Sequence, residues 1–517
     1  MMPHPINTQV PLLAAMPRLT YPDWIVIAVY GALMLFIGWY YSRRNKTQED
    51  YVLGGRKMNP TSVGISLFAT LLSTLSYLSY PGEMIKHGPV IFSGMIAYPV
   101  IYYVAGWWLI PYIMKMKVTS AYEILERKLG LSVRMLATFM FLSLRFLWMA
   151  TIVYVTVDVA LLSVIDINPA YTPFIGIILM LVTIIYTSMG GLKAVVLTDV
   201  IQSAIFLGGA VLSIIIICLN LDSFTGIFPK QWPAHWDTPR LGFNVMERTS
   251  VGNAALVIFT WYVCTTGSDQ MAIQRYLSTK DIRDARKTLR VSFFSSMLSD
   301  LLLALLGLSM LAFYVKNQHF LLPGQTIYEQ ADTLFPRFIM IGLPAGLSGL
   351  VISGLLAAAM SSMSSGLNSV SSVIAEDFLK RFRNPSATPP DPLRLVKQLS
   401  YFSGGIVIVL SLFVSGVQGN LYEVVMKVVN LFVAPLFVLF FMALFVPFAT
   451  ERATFAAGLI AVGAAIGVAF YGVFGITILW MMPCSLVTGV AVGVLLSLPD
   501  RFLLKKGQSR DPLKVSE

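Results

Sequence analysis

The chain has little charge. Asp, Glu, Lys and Arg make up 12% of its 517 residues, about half the share found in soluble globular proteins. That scarcity excludes an ordinary water-facing surface. Cysteine is nearly absent. Cys218, Cys264 and Cys484 each sit in an apolar segment, so no disulfide framework is expected. The four histidines, His4, His87, His235 and His319, are scattered and form no ligand cluster. No glycine loop carries the lysine and serine spacing of a phosphate cradle, and "MGG" (189–191) lacks both. ATP-driven transport and enzymatic chemistry are therefore not expected. The longest polar stretches run to about thirty residues, too short to fold alone as a soluble domain. The first twenty residues lack a basic region followed by an apolar core, so no cleaved signal peptide is expected. The run "WIVIAVYGALMLFIGWYY" from Trp24 is expected to act as an uncleaved anchor.

What the chain has is apolar length. Hydrophobic residues make up 56%, and mean hydropathy is +0.74. Many runs reach the ~20 residues that cross a bilayer as a helix. The class is all-α polytopic membrane protein. Thirteen candidate spans lie near 24–42, 61–85, 90–114, 134–163, 171–189, 196–220, 252–271, 290–317, 343–377, 398–418, 421–448, 454–475 and 477–499. An odd count puts the termini on opposite sides. With the N-terminus outside, inside segments hold 28 Lys and Arg and outside segments hold 7. That bias sets the orientation: N-terminus out, C-terminus cytoplasmic, in a cell membrane. The net charge of +11 is thereby explained by loops against anionic lipid, without nucleic acid. The segment 119–130 reads as an amphipathic helix on the membrane surface. Residues 383–392 read as a Pro-rich flexible loop, and 221–250 as an irregular outer cap.

Polar groups inside apolar spans carry the functional signal. Seven of the eighteen residues in "LLAAAMSSMSSGLNSVSS" (355–372) are serine. At 100° per residue, Ala358, Ser361, Ser362, Ser365, Ser369 and Ser372 share one face, with Ser364 on its flank. Close helix packing explains such a face. So does a cation site built from hydroxyls and freed carbonyls, which are hard ligands. Residues 64–83, "GISLFATLLSTLSYLSYPGE", hold six Ser and Thr before Pro81-Gly82. They read either as a helix interrupted in mid-membrane or as a kinked one. Residues 260–276 offer a second interruption around Thr265, Thr266, Gly267 and Ser268, five spans later. Asp199, Arg145, Asp158 and Asp300 are ionisable groups within spans, where charge is costly. Arg145 suits either a solute carboxylate or a protein acid. Asp199 suits either a cation or the cap of its own helix.

Five stretches, "DYVLGGRKMNP" (50–60), "AYEILERKLG" (121–130), "GGLKAVVLTDVIQ" (190–202), "DQMAIQRYLSTKDIRDA" (269–285) and "AAAMSSMSSGLNS" (357–369), together resemble the solute:sodium symporter family. That family carries sugars, sialic acid, proline, pantothenate, iodide and monocarboxylates. The resemblance implies a LeuT-like fold of two inverted five-helix repeats, with one leading and two trailing helices. The divisions are then 1–60 (tail and leading helix), 61–220 and 252–448 (the repeats), 454–499 (trailing helices) and 500–517 (cytoplasmic tail). It implies a shared sodium site at Ala69, Leu72, Ala358, Ser361 and Ser362. A further sodium site would use Asp199 with Ser361, Ser362, Ser364 and Ser365. The solute is expected among Ser73, Ser76, Arg145, Tyr262, Thr265 and Thr266. Where galactose-type members place glutamine, lysine and an aromatic gate, this chain has Ser76, Ser296 and Cys264-Thr265-Thr266. A galactose-like sugar is therefore not expected, and Arg145 points to an organic acid or acidic sugar. The function expected is sodium-coupled import of a small polar solute by alternating access, with Na+ and lipid as partners and a monomer as the working unit. A proton-coupled carrier, with Asp199 as the proton site, and a membrane-embedded solute sensor are the alternatives. The fifteen residues after Phe502 leave little room for a sensor's output domain.

Overall fold

Apolar runs broken by short polar turns become helices throughout the computed structural model, and no strand occurs among the described residues. The structure describes residues 19–504 except 117, 163, 165–167, 169–170, 323, 383–390, 415–426 and 428. The expected loop 383–392 falls mostly outside them. The helices that matter for function are α1 (Tyr21–Ser42), α2 (Pro60–Leu71), α3 (Thr74–His87), α4 (Tyr98–Val104), α5 (Leu131–Tyr154), α6 (Thr172–Asn220), α7 (Val251–Ser268), α8 (Gln270–Leu277), α9 (Ile282–Lys316), α10 (Leu347–Val373), α11 (Pro392–Val414) and α12 (Val433–Phe445). Two trailing helices, α13 (Glu451–Tyr471) and α14 (Met481–Leu504), pack on each other and on α12.

Among the described residues, nine helices are long and apolar enough to cross a membrane, and the bent pair α2–α3 makes a tenth. Thirteen spans were expected, and the difference lies in three places. The spans 171–189 and 196–220 are two helices that meet inside α6 without a loop, so its 49 residues count once. One straight helix of that length would reach about 74 Å, more than twice the ~30 Å hydrocarbon core. The division falls at Gly191, where φ 61° and ψ −163° turn the chain with no loop at all. The expected span 252–271 is interrupted at Asp269. Within 421–448 the described helix is only the 13 residues of α12.

Gly191 is where the backbone geometry itself demands glycine. That φ/ψ region is essentially closed to other residues, and a Cβ there would lie 2.7 Å from the Tyr51 carbonyl oxygen. Gly191→Ala is expected to destabilise the protein by about 1–3 kcal/mol. Thermal unfolding in detergent checks this, and an unchanged midpoint would mean that the turn tolerates a side chain.

The serine-rich α10 lies at the centre, packed by α6, α1, α11, α5 and α2, and its small residues permit that close approach. Its first turn is capped from another helix: Asp23 Oδ1 accepts from the Gly346 and Gly349 amides, each at 2.8 Å. Residues 119–130 contain the short amphipathic helix Glu123–Lys128. Its apolar side packs on the protein, with Tyr122, Ile124 and Leu125 fully buried and Tyr122 against Phe141 and Phe440, while Arg127 and Lys128 are exposed. The loop 221–250 caps the end of α3: Trp236 Nε1 donates to the Ile85 carbonyl at 3.3 Å, and the Asp237 amide donates to His87 O at 2.9 Å.

Candidate functional site

The polar stretch 64–83 does break. The break lies at Leu72 and Ser73, which are extended (φ/ψ −92°/126° and −125°/175°), while Pro81 rides inside α3. The two halves meet at 66°. A helix end leaves its last carbonyls without intrahelical partners. Two serines of α10 meet them. The Ser361 hydroxyl donates to Ala69 O at 3.0 Å and lies 3.2 Å from Ala358 O. The Ser362 hydroxyl lies 3.1 Å from Thr70 O and 3.0 Å from Leu72 O. Each hydroxyl has one proton and two carbonyl neighbours, so each pair competes for it. Five neutral oxygens from Ala69, Leu72, Ala358, Ser361 and Ser362 converge here, all buried. Such a set has the hard-ligand chemistry of an alkali-cation site.

One turn further along α10 lies a charged cluster. Asp199 Oδ2 accepts from Ser66 Oγ at 2.6 Å, Arg275 Nη2 at 3.3 Å and Ser365 Oγ at 3.5 Å. Arg275 Nη2 also donates to Ser365 Oγ at 2.5 Å, and its Nε donates to Ser66 Oγ at 3.1 Å. Thr70 joins Ser365 at 2.8 Å. Asp199 and Arg275 are both fully buried, and Asp199 Oδ1 is buried with no hydrogen-bond partner. One expectation fails here. Asp199 does not cap a helix start, because the second half of α6 begins just past Gly191. The Ser364 hydroxyl donates to Ser361 O at 3.0 Å and makes no hydrogen bond to Asp199 among the described residues. Arg275, counted from sequence as a charge of an inside loop, is in the core.

Beyond the break lies a cavity of ≈ 120 Å³. Ser73, Ser76, Arg145, Tyr262 and Thr265 all line it. Thr266 does not; its hydroxyl is spent on Tyr262 O at 2.5 Å, one turn back on α7. Phe68, Trp148 and Trp261 supply aromatic walls, and Ser296, Asp300 and Asn430 supply further polar ones. Arg145 lines the cavity and also meets a protein acid: it pairs with Asp269 at the interruption between α7 and α8, over the Trp148 ring. Its Nε is buried without a hydrogen-bond partner. The interruption itself falls at Asp269, just after the Thr265–Ser268 stretch expected for it, and Asp269 caps α8 through Met271 N at 2.8 Å.

The remaining serines of α10 divide by role. Ser369 and Ser371 bond back to carbonyls of their own helix, consistent with packing. On the face of the lysine- and arginine-rich loops, side chains tie neighbouring elements together. Asp377 accepts from Arg134, from Ser120 Oγ at 3.0 Å and from Thr138 Oγ1 at 2.9 Å. Gln270 Nε2 donates to Thr119 O at 2.9 Å. Ser66, Thr70, Asp269, Arg275 and Asp377 were missed from sequence. The available signal was a charge or hydroxyl flanked by apolar residues at helical spacing.

The model of the sodium:solute symporter family matches residues 51–461. The chain is 28% identical over 464 residues to the sodium/sialic acid symporter SiaT of Proteus mirabilis, covering 88% of this chain and 92% of that one. It is 28% identical to the sodium/sialic acid symporter NanT of Aliivibrio fischeri, covering 88% and 90%. The human sodium-coupled monocarboxylate transporter 1 is 27% identical, covering 83% and 70%. Among solved structures, the substrate-bound outward-open state of a Na+-coupled sialic acid symporter superposes with a TM-score of 0.80 at 25% identity, covering 93% and 98%. The LeuT-like fold follows from that match.

Proposed function

Because the chain belongs to the sodium:solute symporter family, and so is a multi-pass sodium-coupled carrier of a small solute, we propose that its solute is an acidic sugar, imported by alternating access. The observation that carries this reading is the meeting of five oxygens at the α2–α3 break with a polar, aromatic-walled cavity directly beyond it. The sialic acid carriage named for two relatives supports the acidic sugar. In this reading one sodium sits among Ala69, Leu72, Ala358, Ser361 and Ser362. It replaces the hydroxyl-to-carbonyl bonds there and orders the break that lines the solute cavity. Arg145 offers its unpartnered Nε to the solute carboxylate beside Asp269. Ser73, Ser76, Tyr262 and Thr265 take hydroxyls and amides of the ring. Rocking of the repeats then opens the face held by Asp377, Arg134 and Gln270. The protein works as a monomer in the cytoplasmic membrane, with its N-terminus outside and its C-terminus inside. Each inward sodium adds about 2.3 kcal/mol per 100 mV.

A second sodium is proposed at Asp199, whose Oδ1 has no partner of its own, with Ser365 beside it. Ser365→Ala keeps the Asp199–Arg275 pair and removes one ligand. We expect the sodium Hill coefficient of uptake to fall from about two to about one. A wild-type coefficient of about one, unmoved by the variant, would leave a single sodium.

The solute assignment is tested by calorimetric binding of sialic acid, propionate and glucose to purified protein in sodium and in potassium. Sialic acid should bind in sodium alone and glucose in neither. Glucose binding without sialic acid binding would contradict it.

A further inference from the structure

The solute cavity adjoins a second one of ≈ 60 Å³, which Glu83, Ile91, Phe92 and Met95 also line. Tyr80, Val257, Ile258 and Asp300 line both. Three charged side chains face this joint space: Arg145, Glu83 and Asp300. Arg145 is paired with Asp269, and Glu83 is paired with Arg248 of the loop. Asp300 has no oppositely charged partner among the described residues. It is more than nine-tenths buried. Its Oδ2 accepts from the Tyr98 hydroxyl at 2.8 Å, and that hydroxyl lies 3.2 Å from the Tyr262 hydroxyl. Oδ1 takes no hydrogen bond from the described residues. A buried carboxyl that lines a cavity, with one oxygen held and the other free, lacks a donor.

We propose that Asp300 is a solute-binding residue, taking hydrogen-bond donors from the end of the solute opposite its carboxylate. This rests on the reading of the cavity as the solute site. Tyr98 holds the carboxyl in place, and Tyr262 and Ser296 flank it on the cavity wall. The site then reads two ends of one molecule: a carboxylate beside Arg145, and hydroxyl or ammonium donors beside Asp300. A carboxylate with no donors leaves Asp300 desolvated and unpaired, which is a strong basis for rejection. Acids with no donor at that end are therefore rejected by Asp300 rather than by Arg145.

The test measures binding to purified full-length protein at saturating sodium, for wild type, Asp300→Asn and Asp300→Ala. Three probes separate the chemistries: sialic acid, with hydroxyl donors, 4-aminobutyrate, with an ammonium far from its carboxylate, and propionate, with neither. Thermal stabilisation by sodium reports that each variant is folded. Wild type should bind sialic acid or 4-aminobutyrate at least tenfold more tightly than propionate. Both variants should weaken that probe by roughly 10- to 100-fold, the range of a hydrogen bond to a charged group, with propionate binding within about twofold and the sodium response intact. If 4-aminobutyrate is the probe that binds and depends on Asp300, the role of Asp300 stands and the acidic-sugar reading falls. Binding of the preferred probe that is equal in wild type and folded variants would overturn the role of Asp300 while leaving the acidic-sugar reading in place. Equal wild-type affinity for all three probes would also overturn it.

Discussion

Replacing Ser361 and Ser362 together by alanine is expected to abolish sodium-driven uptake while the protein still folds. Both hydroxyls are fully buried and face carbonyls of the α2–α3 break. In the proposed site a cation would meet five oxygens, and the double change removes two without adding bulk. Each lost hydroxyl contact to a charge is worth about 1.5–3 kcal/mol, so the pair should weaken sodium binding by roughly 10²–10⁴-fold. Little water can enter at this depth to replace them. Folding should survive, because alanine suits both the helix and its close packing. Sodium titration of thermal stability measures the affinity, and tracer uptake measures the drive. Wild-type sodium dependence in the double variant would assign these serines to packing.

The second large effect is expected at Arg275. Removing one member of a fully buried ion pair leaves a charge with no compensation, at about 3–5 kcal/mol. Arg275→Met should therefore lower the thermal midpoint sharply, and it also deprives Ser66 and Ser365 of a donor. Adding Asp199→Asn removes the stranded charge. The double variant should recover much of the stability lost by the single one, with a coupling energy above about 1 kcal/mol. Thermal unfolding of the two singles and the double closes this cycle. Strict additivity would mean that the two groups do not act as a pair.

Much of the candidate site was legible in the sequence. The hydroxyl-rich 64–83 and 355–372 stood out because polar atoms in an apolar helix need a partner, and each turns out to meet the other. The position of the break was less legible. Pro81-Gly82 marked the stretch, yet Pro81 lies inside α3 and the chain opens earlier, at Leu72–Ser73. Asp199 was read as the start of a helix because the continuous apolar run 171–220 offers no polar loop to mark the turn. Glycine at 191, with a backbone angle only glycine adopts, makes that turn without one. Ser364 lies about 60° off the Ser361 direction, and its hydroxyl donates to Ser361 O rather than to Asp199. Arg275 was placed in a loop because "STKD" follows it; its guanidinium instead reaches back into the core to Ser66, Asp199 and Ser365. The partner of Arg145 could not be read from sequence, since Asp269 is 124 positions away and the two meet only through the fold.

The central claim is that a sodium gradient drives an acidic sugar through this protein. Uptake of labelled sialic acid into proteoliposomes, with an inward sodium gradient against an equal potassium gradient, tests it most directly. Accumulation above equilibrium in sodium, lost when the gradient is collapsed by an ionophore, is the predicted result. Accumulation that ignores sodium and follows a proton gradient instead would contradict it.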